Sequence, residues 1–474
     1  MTDASEQRAV GTLGAGERAI AGDIAARIDR LPLTRTQYTY AGITQWFWGI
    51  MIAADGLVAG LYPFIWAPKN LITSFQFDLI LGANIGVGIL IGEYIGGFMS
   101  DLIGRKMTLI LAALIEGLFI WPIALTNSFG WLLLWNLLFA LGMGMLLSVH
   151  AVYLHELAPP QHRQRLALRT QAIAPASAGL LAGVTSYYWV PLHYQWWIYS
   201  LSAAPIVLCI PLGLMMPESP RWLEGKGRVE QADRIVTKWE TQAEARFGPL
   251  PAPNLEQHTV IQTKRVPAGE LFGPRYRATT VLLLAVWFFG YSGLVYGGAS
   301  FFPTWAVAHG WSAHELFFFS RILAAPIGII VFFLVAAFGE RYERKTWMLV
   351  SSILYSICFL LLFVFPHSFA AQALLVSVAT PAVGIWLFTA YNYTSAAYPT
   401  RVRSVGTGWT DGVGHLGTIV GTSLLVGRLF AWTSDHSYYG WILYVTIAGA
   451  IFPSLLIFYL GKRQKAGVLE ELST

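Results

Sequence analysis

Charge is scarce in this sequence: Asp, Glu, Lys and Arg make up only 12% of its 474 residues, about half the share found in a soluble domain. That is too little to coat a water-soluble protein of this size. Cysteine is scarcer still. Cys209 and Cys358 each sit inside an apolar stretch, far apart in sequence, which argues against a thiol-based metal or redox motif and makes both small core residues. No glycine loop followed by Lys and Ser or Thr is present to cradle a nucleotide, so ATP-driven pumping is not expected. Nor does any Ser, His, Asp or metal-ligand arrangement carry the spacing that hydrolysis or redox work needs, and no enzyme activity, cofactor or metal is expected. The segment Met1 to Gln37 is polar, includes several acids and lacks the apolar core of a signal peptide, so nothing is expected to be cleaved.

Apolar residues are what the chain has in excess, at 55%, with 14% aromatic. Crossing about 30 Å of hydrocarbon takes roughly 20 apolar residues in a helix. Twelve such spans are read at 39–66, 79–100, 107–126, 130–155, 168–190, 196–216, 278–306, 314–338, 346–365, 369–397, 404–430 and 438–461. The expected fold class is therefore an all-α membrane protein of twelve transmembrane helices in two six-helix bundles. Its divisions are a tail over 1–38, a first bundle over 39–216, a linker over 217–277, a second bundle over 278–461 and a tail over 462–474. Nearly all of the 31 Lys and Arg fall in alternate connections; Lys69, Arg321 and Arg428 are the exceptions. Basic connections mark the cytoplasmic side, which puts both termini inside a multi-pass protein of the inner membrane. The net charge of +5 is thus topological, and the expected partners are the bilayer and a small solute, with no nucleic acid and with the chain as a monomer.

The two halves repeat. After span 2 the chain reads Gly97, three residues, Asp101, Leu102, Ile103, Gly104, Arg105, Lys106; after span 8 it reads Gly339, Glu340, Arg341, Tyr342, Glu343, Arg344, Lys345. Span 4 ends Glu156, Leu157, Ala158, Pro159, then Arg163 and Arg165; span 10 ends Ala396, Ala397, Tyr398, Pro399, then Arg401 and Arg403. Asp101 pairs with Glu340 at an offset of 239, and Pro159 with Pro399 at 240. Two unrelated motifs with nearly one offset indicate duplication.

From Tyr38 to Leu460 the chain resembles the major facilitator superfamily, and the acid, Gly, Arg, Lys run after span 2 is that resemblance's most specific element. Pro217, Glu218, Ser219, Pro220, Arg221, Trp222, Leu223 resembles the exit of helix 6 in sugar porters and their organic-ion and nicotinate-transporter relatives. The resemblance implies transport of a small organic metabolite by alternating access. It also implies a cytoplasmic gating network of Gly97, Asp101, Gly104, Arg105, Lys106, Glu156, Arg163, Arg165, Glu218, Arg221, Glu340, Arg341, Arg344, Lys345, Arg401 and Arg403. Carboxylate and Arg pairs at helix ends make a conformation-dependent clasp. Ala396, Leu102 and Glu343 depart from the family pattern and suggest a weaker or rewired second copy.

Ionisable groups inside a bilayer cost at least about 2.5 kcal/mol each and so call for a reason. Asp55 lies well inside span 1, where related porters often carry an Asp, and a buried carboxylate suits reversible protonation; the alternative is a structural hydrogen bond. Proton-coupled relatives usually carry an Arg in span 4, and here Asn136 stands instead, so His150 is a candidate titratable partner. Glu93 and Glu116 serve either a functional role or packing between spans 2 and 3. Asp411 and His415, four residues apart, share one face of span 11, where organic-ion relatives discriminate substrates. Arg321 either neutralises an acid or reaches the outer interface. Among aromatic and amide residues, Tyr291, Tyr296, Trp386 and Asn392 are candidate pocket residues. The expected solute is an organic or aromatic acid resembling nicotinate, moved with protons; a sugar, an organic cation, a passive facilitator and a non-transporting sensor stay open.

Overall fold

The computed structural model describes residues 17–21, 23–65, 72–178, 209–211, 213–254, 259–263, 268–295, 306, 310–338, 341–365, 368–398, 402–419 and 444–464. Helix α1 runs Asp23–Asp29 and α2 runs Arg35–Ile65. At 1.5 Å per residue α2 is about 46 Å long. This exceeds the hydrocarbon thickness, so α2 starts at Arg35 rather than at 39, its polar first turn standing clear of the slab. Next come α3 (Ser74–Leu81), a π-helical turn at Gly82–Gly88, α4 (Ile89–Ile103), α5 (Arg105–Leu125), α6 (Phe129–Leu157), α7 (Arg163–Gln171) and α8 (Ile173–Ala178). The linker carries α9 (Pro220–Gly225) and α10 (Val229–Phe247). The second half comprises α11 (Arg277–Phe289), α12 (Ala313–Phe317), α13 (Ala324–Phe338), α14 (Arg344–Val364), α15 (Phe369–Ala396), α16 (Arg403–Thr418) and α17 (Phe452–Leu460).

Among the described residues, seven helical segments are long and apolar enough to cross a membrane: Leu79–Ile103, Arg105–Leu125, Phe129–Leu157, Arg277–Val295, His314–Phe338, Arg344–Leu362 and Phe369–Ala396. They correspond to spans 2, 3, 4, 7, 8, 9 and 10, and α2 covers span 1. Much of spans 5 and 6, the end of span 11 and the start of span 12 lie outside the described residues. Large apolar side chains face outward, Leu118 at 64% exposure and Leu374 at 61% among them. Such a surface is stable only against lipid. The chain is a multi-pass membrane protein.

Small residues set the helix spacing. A Cβ on Gly144 of α6 would sit 2.7 Å from the backbone nitrogen of Glu93 and overlap the Ile89 carbonyl, so only glycine lets α4 and α6 touch backbone to backbone. Gly104, between α4 and α5, has φ of 104°, the left-handed region open to glycine, and its missing Cβ leaves room for the Glu218 carboxylate. That carboxylate accepts from the backbone nitrogens of Arg105 at 2.9 Å and Lys106 at 3.3 Å, capping α5 from a distant segment.

The internal repeat is visible in individual bonds. Arg163 Nε donates to the His155 carbonyl and Arg403 Nε to the Ser395 carbonyl, the same eight-residue loop closed twice. Tyr153 donates to the Pro217 carbonyl as Tyr393 does to the Lys462 carbonyl. Lys106 donates to the Leu214 carbonyl as Lys345 does to the Phe458 and Gly461 carbonyls.

One departure from an all-helical reading lies outside the bundle. Strand β1 (Glu17–Ala21) pairs antiparallel with β2 (Thr259–Thr263) of the linker, Ala19 opposite Ile261. The N-terminal segment therefore docks on the linker instead of standing alone as a polar tail. Arg27 bonds Glu240 and Asp233 of α10, Arg30 bonds Glu240, and Asp29 pairs with Arg221. The Glu224 carboxylate accepts from the nitrogens of Ile24 at 3.0 Å and Ala25 at 3.2 Å, satisfying donors that α1 cannot bond internally.

Burial is the largest influence on Glu224 and pushes its carboxyl up to about 7, against the bonds from Ile24 and Ala25 and the charge of Arg221. A folded value above the unfolded one means that this contribution to stability is complete below about pH 4 and lost as pH rises through about 7. Thermal unfolding across that window is expected to show Glu224→Gln losing a dependence worth roughly 3 kcal/mol. Parallel wild-type and variant curves would rule out the assignment.

Candidate functional site

The first half meets the second where α4 crosses α16. A Cβ on Gly412 would sit 3.0 Å from Glu93 Oε2, and one on Gly408 2.8 Å from the Glu93 carbonyl, so two glycines bring α16 onto Glu93. One turn along, His415 Nδ1 lies 3.4 Å from Glu93 Oε1 and 3.9 Å from Asp411 Oδ1. The ligating atoms of Glu93, Asp411 and His415 all fall within 4.8 Å of one another, and all three residues are buried. Tyr291, held in the π-helical turn Gly290–Val295, donates to Asp411 Oδ1 at 2.5 Å and bonds the Tyr391 hydroxyl at 2.9 Å. Its ring lies against His415 with centroids 3.9 Å apart.

Asp411 and His415 are the polar groups that the Glu93 carboxyl faces in this cluster. Two ionised carboxylates at this separation repel by roughly 3 to 4 kcal/mol at an effective dielectric of about 20. A proton or another small cation removes that repulsion, and two carboxylates with an imidazole suit either. The alternative of packing between spans 2 and 3 fails for Glu93, because its carboxyl reaches the opposite half. Glu116 stands where α5 packs on α6: its backbone nitrogen lies 2.7 Å from where a Cβ on Gly142 would be.

A second acidic group lies wholly in the first half. Asp55 hydrogen-bonds Asn84, whose amide donates to Asn136 Oδ1 at 3.3 Å. Asn136 therefore joins Asp55 through one intervening amide where relatives carry an Arg. Glu116 lies within electrostatic reach of Asp55.

His150 sits in an aromatic box that shares Tyr391 with the first group. Its ring lies 6.0 Å from Trp48 of α2, and 6.4 Å and 4.9 Å from Phe388 and Tyr391 of α15, centroid to centroid. The His150 Nδ1 is 3.1 Å from the Leu147 carbonyl, so it donates there, and Nε2 has no partner among the described residues. A neutral ring then offers Nε2 as an acceptor. The amides of Gln45 and Gln171 are likewise buried with neither nitrogen nor oxygen bonded. Such orphaned polar atoms are rare in finished interiors.

At the charged end of the bundle Arg105 forks onto Glu156, Nε to Oε2 and Nη2 to Oε1 at 3.0 Å each, and Nη1 reaches Asp101 at 3.0 Å. Those partners all belong to the first half. The ties between halves are others. Arg403 Nη1 lies 3.9 Å from Glu156 Oε1; His155 bonds Asn392 Oδ1 at 3.1 Å and Ser395 Oγ at 2.8 Å; Ser100 and Ser404 hydroxyls are 3.5 Å apart.

Membrane crossings, a duplicated arginine loop and a charged closure between halves together define an architecture, and sequence comparison identifies it. The pattern of the Major Facilitator Superfamily matches residues 47–422. The chain belongs to that superfamily. It is 25% identical over 463 residues to the niacin transporter NiaP of Acinetobacter baylyi, covering 95% of this chain and 99% of that one. It is 29% identical over 429 residues to the putative metabolite transport protein YyaJ of Bacillus subtilis, covering 85% and 88%. The structure of the proton:xylose symporter XylE bound to 6-bromo-6-deoxy-D-glucose superposes with a TM-score of 0.69 at 18% identity, over 92% of this chain and 98% of that one. As a superfamily member the chain is a transporter.

Within that transporter several expected roles move. Asn392, expected in the pocket, is engaged by His155 through its side chain and by Arg344 through its carbonyl, because α15 turns that face towards the charged end. Trp386, also expected there, donates to Ser454 and packs edge-on against Trp287 within the second half. Arg321 is half-buried in the π-helical turn Phe318–Leu323. Arg221 donates to the Glu156 carbonyl, Arg163 to His155, Gly97 abuts the Ser404 carbonyl, Arg165 is half-buried, and Arg341 stacks on Phe338 in an exposed turn. Tyr296, Glu340 and Arg401 lie outside the described residues. His155, Trp48, Gln45 and Gln171 were not singled out from sequence. For His155 the offset of 240 to Ser395 was the available signal, since the two stand at equivalent places in the repeat and bond each other.

Proposed function

We propose that the protein takes up a small aromatic or organic acid resembling nicotinate across the inner membrane together with protons, through twelve helices with both termini cytoplasmic, as a monomer. The observation that carries the coupling is the Glu93, Asp411 and His415 cluster, because its members come from opposite halves. Opening the charged end separates α4 from α16 and admits water to the carboxyls. Their affinity for a proton then differs between the two states, and that difference ties proton binding to the rocking motion. Asp55 serves as the proton carrier of the first half, answering to the solute instead of to the closure.

The box of Trp48, Phe388 and Tyr391 around His150 supports a flat aromatic solute, and an aromatic acid meets the acceptor Nε2, unbonded among the described residues, through its carboxyl in the protonated form, which donates. The 25% identical niacin transporter supports the same class. A sugar is the second reading, favoured by the unsatisfied amides of Gln45 and Gln171, which suit hydroxyl groups. Thermal-shift titration of the purified protein with nicotinate, benzoate, xylose and arabinose separates them: His150→Ala is expected to abolish the response to acids, and Gln171→Ala the response to sugars.

Proton coupling is tested in proteoliposomes, where adding solute is expected to make the external medium more alkaline. Transport without that change means a passive facilitator, and binding without flux means a sensor. Asp55→Asn is expected to abolish gradient-driven accumulation while leaving exchange of preloaded solute. Normal accumulation in this variant removes Asp55 from the coupling path.

A further inference from the structure

Away from the transport path, a cavity of about 510 Å³ opens at the charged end where three chain segments converge. Its wall carries Arg35 and Tyr38 from the start of α2, Arg165 and Arg169 from α7, and Arg246 from the last turn of α10. Among the described residues neither Asp nor Glu lines it. Gathering four guanidinium groups around one concave space raises the local potential, with no carboxylate in the wall to lower it. The geometry is built: Arg169 Nη1 donates to the Tyr38 hydroxyl at 3.1 Å, holding one wall, and Arg246 stacks against the Phe247 ring at 5.3 Å, holding another. Arg35 and Tyr38 open a helix that enters the membrane, which sets the cavity at the level of the lipid headgroups.

Here the structure assigns a binding site for a phosphate-bearing anion, supplied by an anionic phospholipid headgroup of the adjoining leaflet. Forked guanidinium groups match phosphate oxygens two at a time, and basic pockets beside transmembrane helices are known to take anionic headgroups. Occupancy fastens the end of α10 to α2 and α7. Together with the bonds of Arg27 and Arg30 to Glu240, it clamps the linker onto the first half.

The test uses purified full-length protein in neutral detergent and reads thermal stability against added dioctanoyl phosphatidylglycerol, dioctanoyl phosphatidylcholine and glycerol 3-phosphate. Saturable stabilisation by phosphatidylglycerol and none by phosphatidylcholine is expected. Arg35→Gln combined with Arg246→Gln is expected to weaken the apparent affinity roughly thirty-fold, at about five-fold for each arginine. Arg234→Gln combined with Lys238→Gln removes the same charge from the exposed side of α10 and is expected to leave binding unchanged. If glycerol 3-phosphate stabilises as well as the lipid does, the anion is a soluble phosphate and the lipid assignment is overturned while the phosphate site stands. Equal stabilisation by both lipids, no stabilisation by any probe, or equal weakening in the control pair overturns the site itself.

Discussion

Glu93→Gln is expected to lower proton-driven accumulation at least roughly ten-fold, within the range that a coupling free energy of 1 to 3 kcal/mol spans, while exchange of preloaded solute continues. Glutamine keeps the shape of the side chain and removes its ability to gain and lose a proton. Because Glu93 is fully buried and faces Asp411 and His415 across the junction of the halves, the change also removes a charge interaction that only the closed arrangement contains. A second readout separates this role from that of Asp55. The pH dependence of closure at the charged end, followed by labelling a cysteine introduced at Ser100, is expected to vanish in Glu93→Gln and to persist in Asp55→Asn. Ordinary accumulation in Glu93→Gln, or an unaltered pH dependence of labelling, would contradict the assignment.

Joining Ser100→Cys to Ser404→Cys by oxidation is expected to arrest net transport, with recovery on adding a reductant. The two hydroxyls lie 3.5 Å apart between α4 and α16, close enough for cysteines to bridge, and alternating access requires those helices to part. Each single variant is expected to transport under oxidant, since the native thiols of Cys209 and Cys358 are buried. Transport that survives a complete cross-link would show that this contact is not broken during the cycle. Arg105 has a different part in the same closure. Its bonds to Glu156 and Asp101 lie within the first half, so it shapes the carboxylate that Arg403 approaches instead of crossing the junction itself.

Much of this was legible from residues alone. Scarce charge, apolar spans of bilayer length and the 240-residue repeat pointed to a duplicated membrane bundle, and the structure closes matching loops on Arg163 and Arg403. Glu93, Asp411 and His415 were each visible as ionisable groups in apolar surroundings. Their meeting was not: 318 residues separate Glu93 from Asp411, and helical periodicity relates only neighbours three or four apart. Asn392 shows the converse error. A polar residue among aromatic ones reads as pocket lining, but the twist of α15 turns it to His155.

Periodicity and hydropathy, then, determined which segments cross the membrane, because the cost of burying charge or an unpaired backbone in lipid is paid residue by residue within a single helix. Which face of α4 meets which face of α16, how the leader strand finds the linker, and where four arginines converge were decided only by the tertiary structure. Those contacts depend on backbone approach permitted by residues such as Gly144, Gly408 and Gly412, and side-chain pairs made across that approach leave no local trace in the chain.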